Sequence, residues 1–235
     1  FEPLVPTVTF LPFGDFDALA AIDDTVAAVI IEPIQGEGGV RIPNSGFLAL
    51  LRQRCDEVGA LLIFDEVITG FGRTGRLFAC AHWSVVPDIL VLAKALGGGM
   101  PLGAFISTPD IMETLAQDPP LAHVTTFGGH PVCCAAGLAS LEVILGERLP
   151  QQAHAKGEDL LQQLRALRGM GGLTAVRGRG LLIGMDFDSP EATKSFVRHC
   201  FAAGVILGWT LHHDTVVRLA PPLIISPAEL DRAVF

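Results

Sequence analysis

Short apolar runs that end at charged residues place the strongest constraint on the fold of this chain. Residues 26–32 form one run, and its last residue is a carboxylate. Residues 60–64 form a second run followed by Asp65, and residues 89–93 form a third followed by Lys94. A continuous apolar run of this length predicts a strand buried on both faces, as in a parallel sheet. Because the segments between the runs have helical periodicity, the pattern indicates β-α-β construction.

The apolar content fits such a sheet better than it fits a membrane protein. Hydrophobic residues make up 50% of the 235 residues, and charged residues only 17%. A membrane-spanning helix needs an uncharged apolar run of roughly 18 or more residues, and Asp65, Glu66 and Lys94 interrupt the apolar runs here. We therefore expect a soluble protein whose apolar excess lies in buried strands and in a large subunit interface.

The charge and the cysteines narrow the class of function further. The formal net charge is −9, whereas nucleic-acid binding requires clustered Lys and Arg, which the sequence lacks. The five cysteines are odd in number and have no CxxC spacing, which predicts reduced thiols in a cytoplasmic protein. The histidines lack metal-ligand spacing. We expect no nucleic-acid, membrane or metal partner.

The pattern changes after about residue 145, which predicts a second domain. Residues 151–168 predict a long polar helix, and beyond it strands and helices alternate: strands at 180–187, 205–211 and 216–219, and helices at 190–203 and from Ser226 onward. We predict a large domain over residues 1–147 and a small C-terminal α/β domain over residues 148–235. Because the chain begins without methionine in what reads as a loop, we expect the large domain to be incomplete at its N-terminus.

Asp65 and Lys94 are the candidate catalytic residues. In open α/β sheets ligands bind outside the carboxyl ends of the strands, so these two residues would bring a carboxylate and an amine to one crevice. An amine there is a candidate Schiff-base nucleophile, and a nearby carboxylate can hold a protonated pyridine nitrogen. Two other interpretations are a structural ion pair and the magnesium-binding strand of a P-loop ATPase. The ATPase requires a GxxxxGK[ST] segment, which the sequence lacks.

Five segments together resemble the class III aminotransferases. They occur in the order found in that family and span nearly the whole chain: residues 32–39 (EPIQGEGG), 65–75 (DEVITGFGRTG), 92–99 (LAKALGGG), 126–131 (TFGGHP) and 218–223 (RLAPPL). Within the family, the chain resembles the acetylornithine, ornithine and 4-aminobutyrate aminotransferases in particular. The resemblance implies an α/β protein of the pyridoxal-phosphate-dependent transferase fold type I. Such a protein has a mixed, mostly parallel sheet between helices and a small C-terminal α/β domain.

The resemblance also implies roles in binding pyridoxal 5'-phosphate (PLP). Lys94 would form the Schiff base with this cofactor and would shuttle a proton during the reaction. Asp65 would pair with the pyridine nitrogen, and Val67 would pack on the face of the ring. Thr126 would donate a hydrogen bond to the cofactor phosphate of the neighbouring subunit, so a homodimer with shared active sites is expected.

Two further residues are implied in substrate binding. Arg218 would clamp a substrate carboxylate through its planar guanidinium. Glu37 would pair with Arg218 while an ω-amino donor is bound, and would release it for 2-oxoglutarate or glutamate. The alternative interpretation of Glu37 is a solvated turn residue. Glu66 and Arg73 are predicted to be structural, the first as a buried carboxylate and the second as a loop arginine that binds carbonyl groups.

Two positions depart from the pattern of the family. Ile68 stands where ornithine-type relatives often have a glutamine near the phenolic oxygen of the cofactor, and isoleucine cannot donate that hydrogen bond. His130 replaces the usual asparagine of a Gly-Gly-Asn-Pro turn. In the family, the phosphate-binding helix start and the aromatic residue that covers the ring precede the point where this chain begins.

The resemblance implies transfer of an amino group from an ω-amino donor to 2-oxoglutarate by a ping-pong Schiff-base mechanism. Acetylornithine, ornithine and 4-aminobutyrate are the donors of the most similar enzymes. Aminomutases and decarboxylases of the family use the same lysine and aspartate, so these activities are alternatives. A catalytically incomplete fragment is another.

Overall fold

The computed structural model describes residues 5–117, 119–120, 122–209 and 212–234. Within these residues the first sheet has four strands, in the spatial order β1-β2-β3-β4. Strands β1 (Ala28–Ile31), β2 (Leu61–Asp65) and β3 (Ile89–Leu92) are parallel, and β4 (Ala104–Ser107) pairs antiparallel with β3. The prediction of a mixed, mostly parallel sheet is confirmed.

Helix α1 (Phe47–Val58) connects β1 to β2 and packs against the sheet. Its buried residues Phe47, Leu51 and Cys55 are four positions apart, so they lie on one face of the helix. Gly59 ends the helix in the left-handed conformation, with φ 78°, and its N–H donates to the carbonyl oxygen of Cys55. A glycine at this position avoids the steric cost of a Cβ. The buried side of α1 and the apolar side chains of β2 form one core.

The second sheet is antiparallel and comes entirely from the C-terminal part of the chain. Its described strands are β5 (Leu173–Arg179), β6 (Leu182–Phe187), β7 (Gly208–Trp209) and β8 (Val216–Leu219), in the order β5-β6-β8-β7. Strand β5 was not predicted, because two arginines and a glycine interrupt its apolar residues. The predicted strand at 205–211 is reduced to β7 among the described residues, and positions 210 and 211 lie outside them.

Proline residues and local caps begin several of the helices. The remaining helices are α2 (Pro109–Glu113), α3 (Pro131–Gly146), α4 (Leu149–Ala166), α5 (Pro190–Ala202) and α6 (Pro227–Val234). Proline has no backbone N–H, and in the first turn of a helix an N–H would have no partner within the helix. Ser189 caps α5 by accepting the N–H of Ala192 at 3.2 Å. The predicted helix at 151–168 is α4, which begins and ends two residues earlier.

Helix α4 covers the second sheet, and the apolar core of that sheet forms beneath it. Leu160, Leu161 and Leu164 of α4 are buried in one cluster with Ile183 of β6 and Val217 of β8. The first sheet lies within residues 1–147 and the second within residues 148–235. We retain the division into two domains at that boundary as a proposal. No helix of the described segments is long and apolar enough to cross a membrane.

The loop after β2 is fixed by two polar side chains whose predicted structural roles are confirmed. Glu66 is fully buried and accepts the backbone N–H groups of Ala79 and Cys80. Burial raises the pKa of the Glu66 carboxyl above its ordinary value, although these donors oppose the shift. Arg73 donates to the carbonyl oxygens of Leu181 (3.0 Å) and Pro221 (2.6 Å). Arg73 therefore attaches the loop to the C-terminal part of the chain.

Candidate active site

Three neighbouring parallel strands are followed by charged residues at one edge of the first sheet. Glu32 directly follows β1, Asp65 ends β2, and Lys94 lies two residues after the end of β3. The register pairs Asp65 with Val91 of β3. Since adjacent parallel strands end at the same edge, the sheet brings Glu32, Asp65 and Lys94 together there.

The chain turns sharply at Lys94. Its φ of 49° lies in the left-handed region, which residues other than glycine seldom adopt. Lys94 begins a short 3-10 helix, Lys94–Gly97, and its side chain is exposed. Backbone strain of this kind costs roughly 1–3 kcal/mol and occurs most often at functional sites. The turn takes the lysine out of the strand direction and leaves its amine accessible.

Asp65 is half-buried and has one oxygen engaged. Its Oδ1 accepts the backbone N–H of Val67 at 2.9 Å. Within the described segments its Oδ2 accepts no hydrogen bond. The hydrogen bond to Oδ1 fixes the carboxylate of Asp65 and keeps the half-buried Val67 beside it. The second oxygen is able to accept an N–H from a ligand.

Glu32 belongs to the same electrostatic environment. Its carboxylate accepts the N–H of Gly36 at 2.9 Å. Burial raises the pKa of the Glu32 carboxyl above its ordinary value, and the negative charges of Asp65 and Glu37 raise it further. The positive charge of Lys94 acts in the opposite direction. The charges of Glu32, Asp65 and Lys94 therefore lie close enough to influence one another. Glu32 is thus a residue of the candidate site, although its sequence position alone assigned it no role.

An arginine of the second sheet holds the turn that follows β1. The Nε of Arg177 on β5 donates to the carbonyl oxygen of Val40 at 3.0 Å, and its Nη2 donates to that of Gly39. The same guanidinium forms an ion pair with Asp186 on β6. A planar guanidinium with five donors is able to bind two carbonyls and a carboxylate at once. Arg177 was not identified from the sequence, because backbone acceptors have no residue signature.

Glu37, which lies in this turn, forms an ion pair with Arg218 of β8. The two residues are 181 positions apart in the chain. The side chain of Arg218 is 21% exposed and that of Glu37 is 29% exposed. The interpretation of Glu37 as a solvated turn residue is therefore wrong. The substrate-binding roles of the pair stay predictions.

Both departures from the family pattern have a local structural explanation. Ile68 packs in an apolar cluster with Ile34 and Leu182, so its side chain joins the first sheet region to β6. His130 is the cap of α3, where its Nδ1 accepts the N–H of Val132 at 3.3 Å. Asparagine is a preferred residue at such a cap. The histidine therefore supplies the acceptor that the first turn of the helix needs.

Thr126 stands apart from the other predicted site residues. It is exposed in the segment before α3. In the described part of the chain, no hydrogen bond or ion pair connects it with Asp65 or Lys94. Its predicted contact is with the neighbouring subunit, and that role stays a prediction. No group of three or more His, Cys, Asp or Glu that could hold a metal ion occurs among the described residues.

Comparison with known proteins assigns this arrangement to a family. The family model described as aminotransferase class-III matches residues 6–234. An ornithine aminotransferase structure from Toxoplasma gondii ME49 has a TM-score of 0.92 and 37% identity, over 99% of this chain and 55% of that one. A second structure of the Toxoplasma gondii enzyme has PLP at partial occupancy in its active site; its TM-score is 0.93 at 37% identity, over 100% of this chain and 56% of that one.

An acetylornithine aminotransferase structure from Elizabethkingia anophelis is also similar. Its TM-score is 0.88 at 37% identity, over 95% of this chain and 57% of that one. The chain therefore spans little more than half the length of these solved structures, between 55% and 57%.

Proposed function

The chain belongs to the class-III aminotransferase family, and from this membership we propose that it works as a PLP-dependent aminotransferase. The amino donor is an ω-amino compound of the ornithine, acetylornithine or 4-aminobutyrate type, and the acceptor is 2-oxoglutarate. The observation that carries the proposal is that Asp65 and Lys94 follow neighbouring parallel strands at one edge of the sheet.

The residues at this edge fit PLP chemically. Lys94 offers an exposed amine, which is the group that condenses with an aldehyde. Asp65 offers a half-buried carboxylate with one oxygen available, which suits the N–H of a protonated pyridine. Val67, held next to Asp65, offers an apolar β-branched side chain to the face of a ring. We assign these three residues to the cofactor, together with Thr126 from the neighbouring subunit of a homodimer.

When bound, PLP supplies an electron sink that stabilises negative charge at the substrate carbon losing its proton. Asp65 keeps the pyridine nitrogen protonated, since a fixed carboxylate favours the charged form of its partner. Lys94 would use its amine, once the substrate has displaced it, to take the proton from the substrate Cα and to return it at the C4′ carbon of the cofactor. Glu32 adds a carboxylate close to Asp65 and Lys94 at the same edge of the sheet.

The ion pair between Glu37 and Arg218 supports the use of two different substrates at one site. While the pair is closed, the charge of Arg218 is neutralised, so a donor that brings an amine meets no unpaired positive charge. When the pair opens, the guanidinium is able to bind the carboxylate of 2-oxoglutarate or glutamate by two parallel hydrogen bonds. The half-burial of both side chains suits a contact that forms and opens repeatedly.

The assignment of Lys94 is tested by absorbance spectroscopy. The full-length protein, incubated with PLP and then dialysed, should retain the near-visible absorbance band of the lysine Schiff base, and Lys94→Ala should lack it. Lys194→Ala is the matched control, because Lys194 is an exposed lysine on α5. An unchanged band in Lys94→Ala would remove Lys94 from the proposal.

The reaction itself is tested with a panel of donors. Ornithine, acetylornithine and 4-aminobutyrate are each incubated with 2-oxoglutarate and the full-length enzyme, and glutamate is measured. We expect glutamate from at least one donor. Release of carbon dioxide or isomerisation of the donor without glutamate would instead indicate a decarboxylase or an aminomutase, and the transfer proposal would be wrong.

A further inference from the structure

A cavity of about 750 Å³ lies where three segments of the chain cross. Residues 74–82 of the loop after β2 form one wall, the first half of α4 forms another, and the turn between β5 and β6 forms the third. Glu37, Asp65, Lys94 and Arg218 do not line it. The cavity is therefore separate from the candidate active site.

Close backbone contacts at glycines fix the walls of this cavity. Gly180 has φ 53°, and a Cβ at this position would lie 2.5 Å from the backbone nitrogen of Gly75. A Cβ at Gly157 of α4 would lie 2.1 Å from the carbonyl oxygen of Gly180. The N–H of Leu181 also donates to the carbonyl oxygen of Arg73 at 3.0 Å. The three segments are thus held at van der Waals distance, and the side chains beside these glycines are brought together.

Two of these side chains are arginines. Arg76 follows Gly75 and Arg179 precedes Gly180, and both line the cavity. Among the described residues neither guanidinium has an ion-pair partner. The Nε of Arg179 is buried and has no hydrogen-bond partner there. Its guanidinium carbon lies 5.4 Å from the ring centroid of Trp83, a contact that restrains the side chain.

Two arginines and one glutamate line the cavity, so its charged side chains carry a net positive charge. Burial lowers the pKa of His82, and the positive charges of Arg179 and Arg76 lower it further. Of the described residues that line the cavity, Glu158 alone is acidic, and it is exposed on α4. A local excess of positive charge is notable in a chain whose formal net charge is −9.

We propose that this cavity binds a small oxyanion with two or more negative charges between Arg76 and Arg179. Guanidinium groups match the paired oxygens of carboxylates and phosphates. The terminal guanidinium nitrogens of the two arginines would donate to the oxygens of such an anion. Because Arg76 belongs to the loop after β2 and Arg179 to the second sheet, the bound anion connects these two parts of the molecule.

Inorganic phosphate and succinate are the two probes of the proposal. Both are small oxyanions, but the first presents a phosphate group and the second presents two carboxylates. Each is titrated into the full-length, PLP-loaded protein by isothermal titration calorimetry at constant ionic strength. The variants are Arg179→Gln and Arg76→Gln. The matched control is Arg198→Gln, which removes an exposed arginine of α5 outside the cavity.

We expect at least one probe to bind. Arg179→Gln and Arg76→Gln should each weaken that binding by about tenfold or more, since a hydrogen bond to a charged group is lost. Arg198→Gln should bind like the wild type. The anion should also raise the midpoint of thermal unfolding of the wild type, because it binds the folded state, and at the same concentration it should raise that of Arg179→Gln by less. Binding of only one probe supports the proposal and identifies the source of the anion.

Three outcomes would overturn the proposal. The first is that neither probe binds at concentrations up to about 10 mM. The second is equal affinity in the wild type, Arg179→Gln and Arg76→Gln, which would place the anion at the cofactor site or at Arg218. The third is an equal effect of chloride, which would indicate ionic screening only. If Arg179→Gln does not fold, Arg76→Gln decides, because it changes an exposed side chain.

Discussion

Arg218 of the second sheet and Glu37 of the turn after β1 form an ion pair in which both side chains keep partial contact with water. Fully exposed ion pairs contribute roughly 0–1 kcal/mol to stability, and fully buried pairs are strongly destabilised when one partner is removed. A half-buried pair lies between these limits. The ion pair is stable enough to neutralise the charge of the arginine. The free energy needed to break it is small enough for a substrate carboxylate to compete for the guanidinium.

Glu37→Gln should separate the two half-reactions of the proposed enzyme. Because Arg218 then lacks a counter-charge, we expect the KM for 2-oxoglutarate to fall. We expect kcat/KM for the ω-amino donor to fall by about tenfold, because the amine meets an unpaired positive charge. Single-turnover kinetics of each half-reaction measure both effects. Glu113→Gln, at an exposed position on α2, should change neither, and equal losses in both half-reactions would contradict the masking role.

At the scale of elements, a single glycine determines how closely helix α4 approaches the turn between β5 and β6. Its buried leucines lie over the second sheet, as expected for an amphipathic helix. Gly157 stands on the same buried side and is fully enclosed. Glycine weakens an isolated helix by about 1 kcal/mol relative to alanine, but here it allows the helix to contact the turn between β5 and β6. Tertiary packing therefore outweighs helix propensity at this position.

Gly157→Ala should lower the free energy of unfolding by about 2 kcal/mol, although alanine favours helix formation. The new Cβ would lie 2.1 Å from the carbonyl oxygen of Gly180, and relief of such a clash requires the helix or the turn to move. Gly146→Ala is the matched control, since Gly146 ends α3 and no atom lies within 4 Å of the position of its Cβ. That variant should gain about 0.5–1 kcal/mol. Urea denaturation measures both, and a stabilised Gly157→Ala would refute the close contact.

For the molecule as a whole, arginines form much of the junction between the two sheets. Arg73 reaches from the loop after β2 to Leu181 and Pro221, and Arg177 reaches from β5 to the turn after β1. Arg218 joins β8 to Glu37. Arginine suits this task because its five donors are arranged in a rigid fork. The junction sets the position of the ion pair between Glu37 and Arg218 relative to Asp65 and Lys94, so the geometry of the candidate site depends on both sheets.

The isolated 235-residue chain should aggregate. Strands β1 and β4 are the edges of the first sheet in the described part of the chain. Their residues Ile30 and Ile106 are 67% and 54% exposed. An edge strand with an exposed apolar side chain is a template for pairing with another chain.

Size-exclusion chromatography with light scattering should show polydisperse material. The double variant Ile30→Lys/Ile106→Lys should reduce aggregation, because charge at an edge opposes pairing. A monodisperse wild-type chain that melts cooperatively would contradict this prediction.

Much of the fold could be predicted from the sequence, because its signals are local. The apolar runs before Asp65 and Lys94 are β2 and β3, and the prediction that these strands pair in a parallel sheet is confirmed. Strand β5 was missed because its exposed and half-buried residues carry no apolar run. Its assignment depends on pairing with β6, which is a property of the folded chain.

Some residues of the candidate site could likewise be predicted from the sequence, and others could be found only in the folded chain. By its own pattern, the sequence determined which charged residues stand at the ends of the apolar strands and which family the five segments resemble. Only the tertiary structure decided that Glu32 shares the field of Asp65 and Lys94, that Arg177 holds the turn, and that Arg76 and Arg179 line one cavity. The physical reason lies in the acceptors. Arg177 binds a backbone carbonyl oxygen 137 positions away, and because every residue has a carbonyl group, the sequence does not show which one is the acceptor.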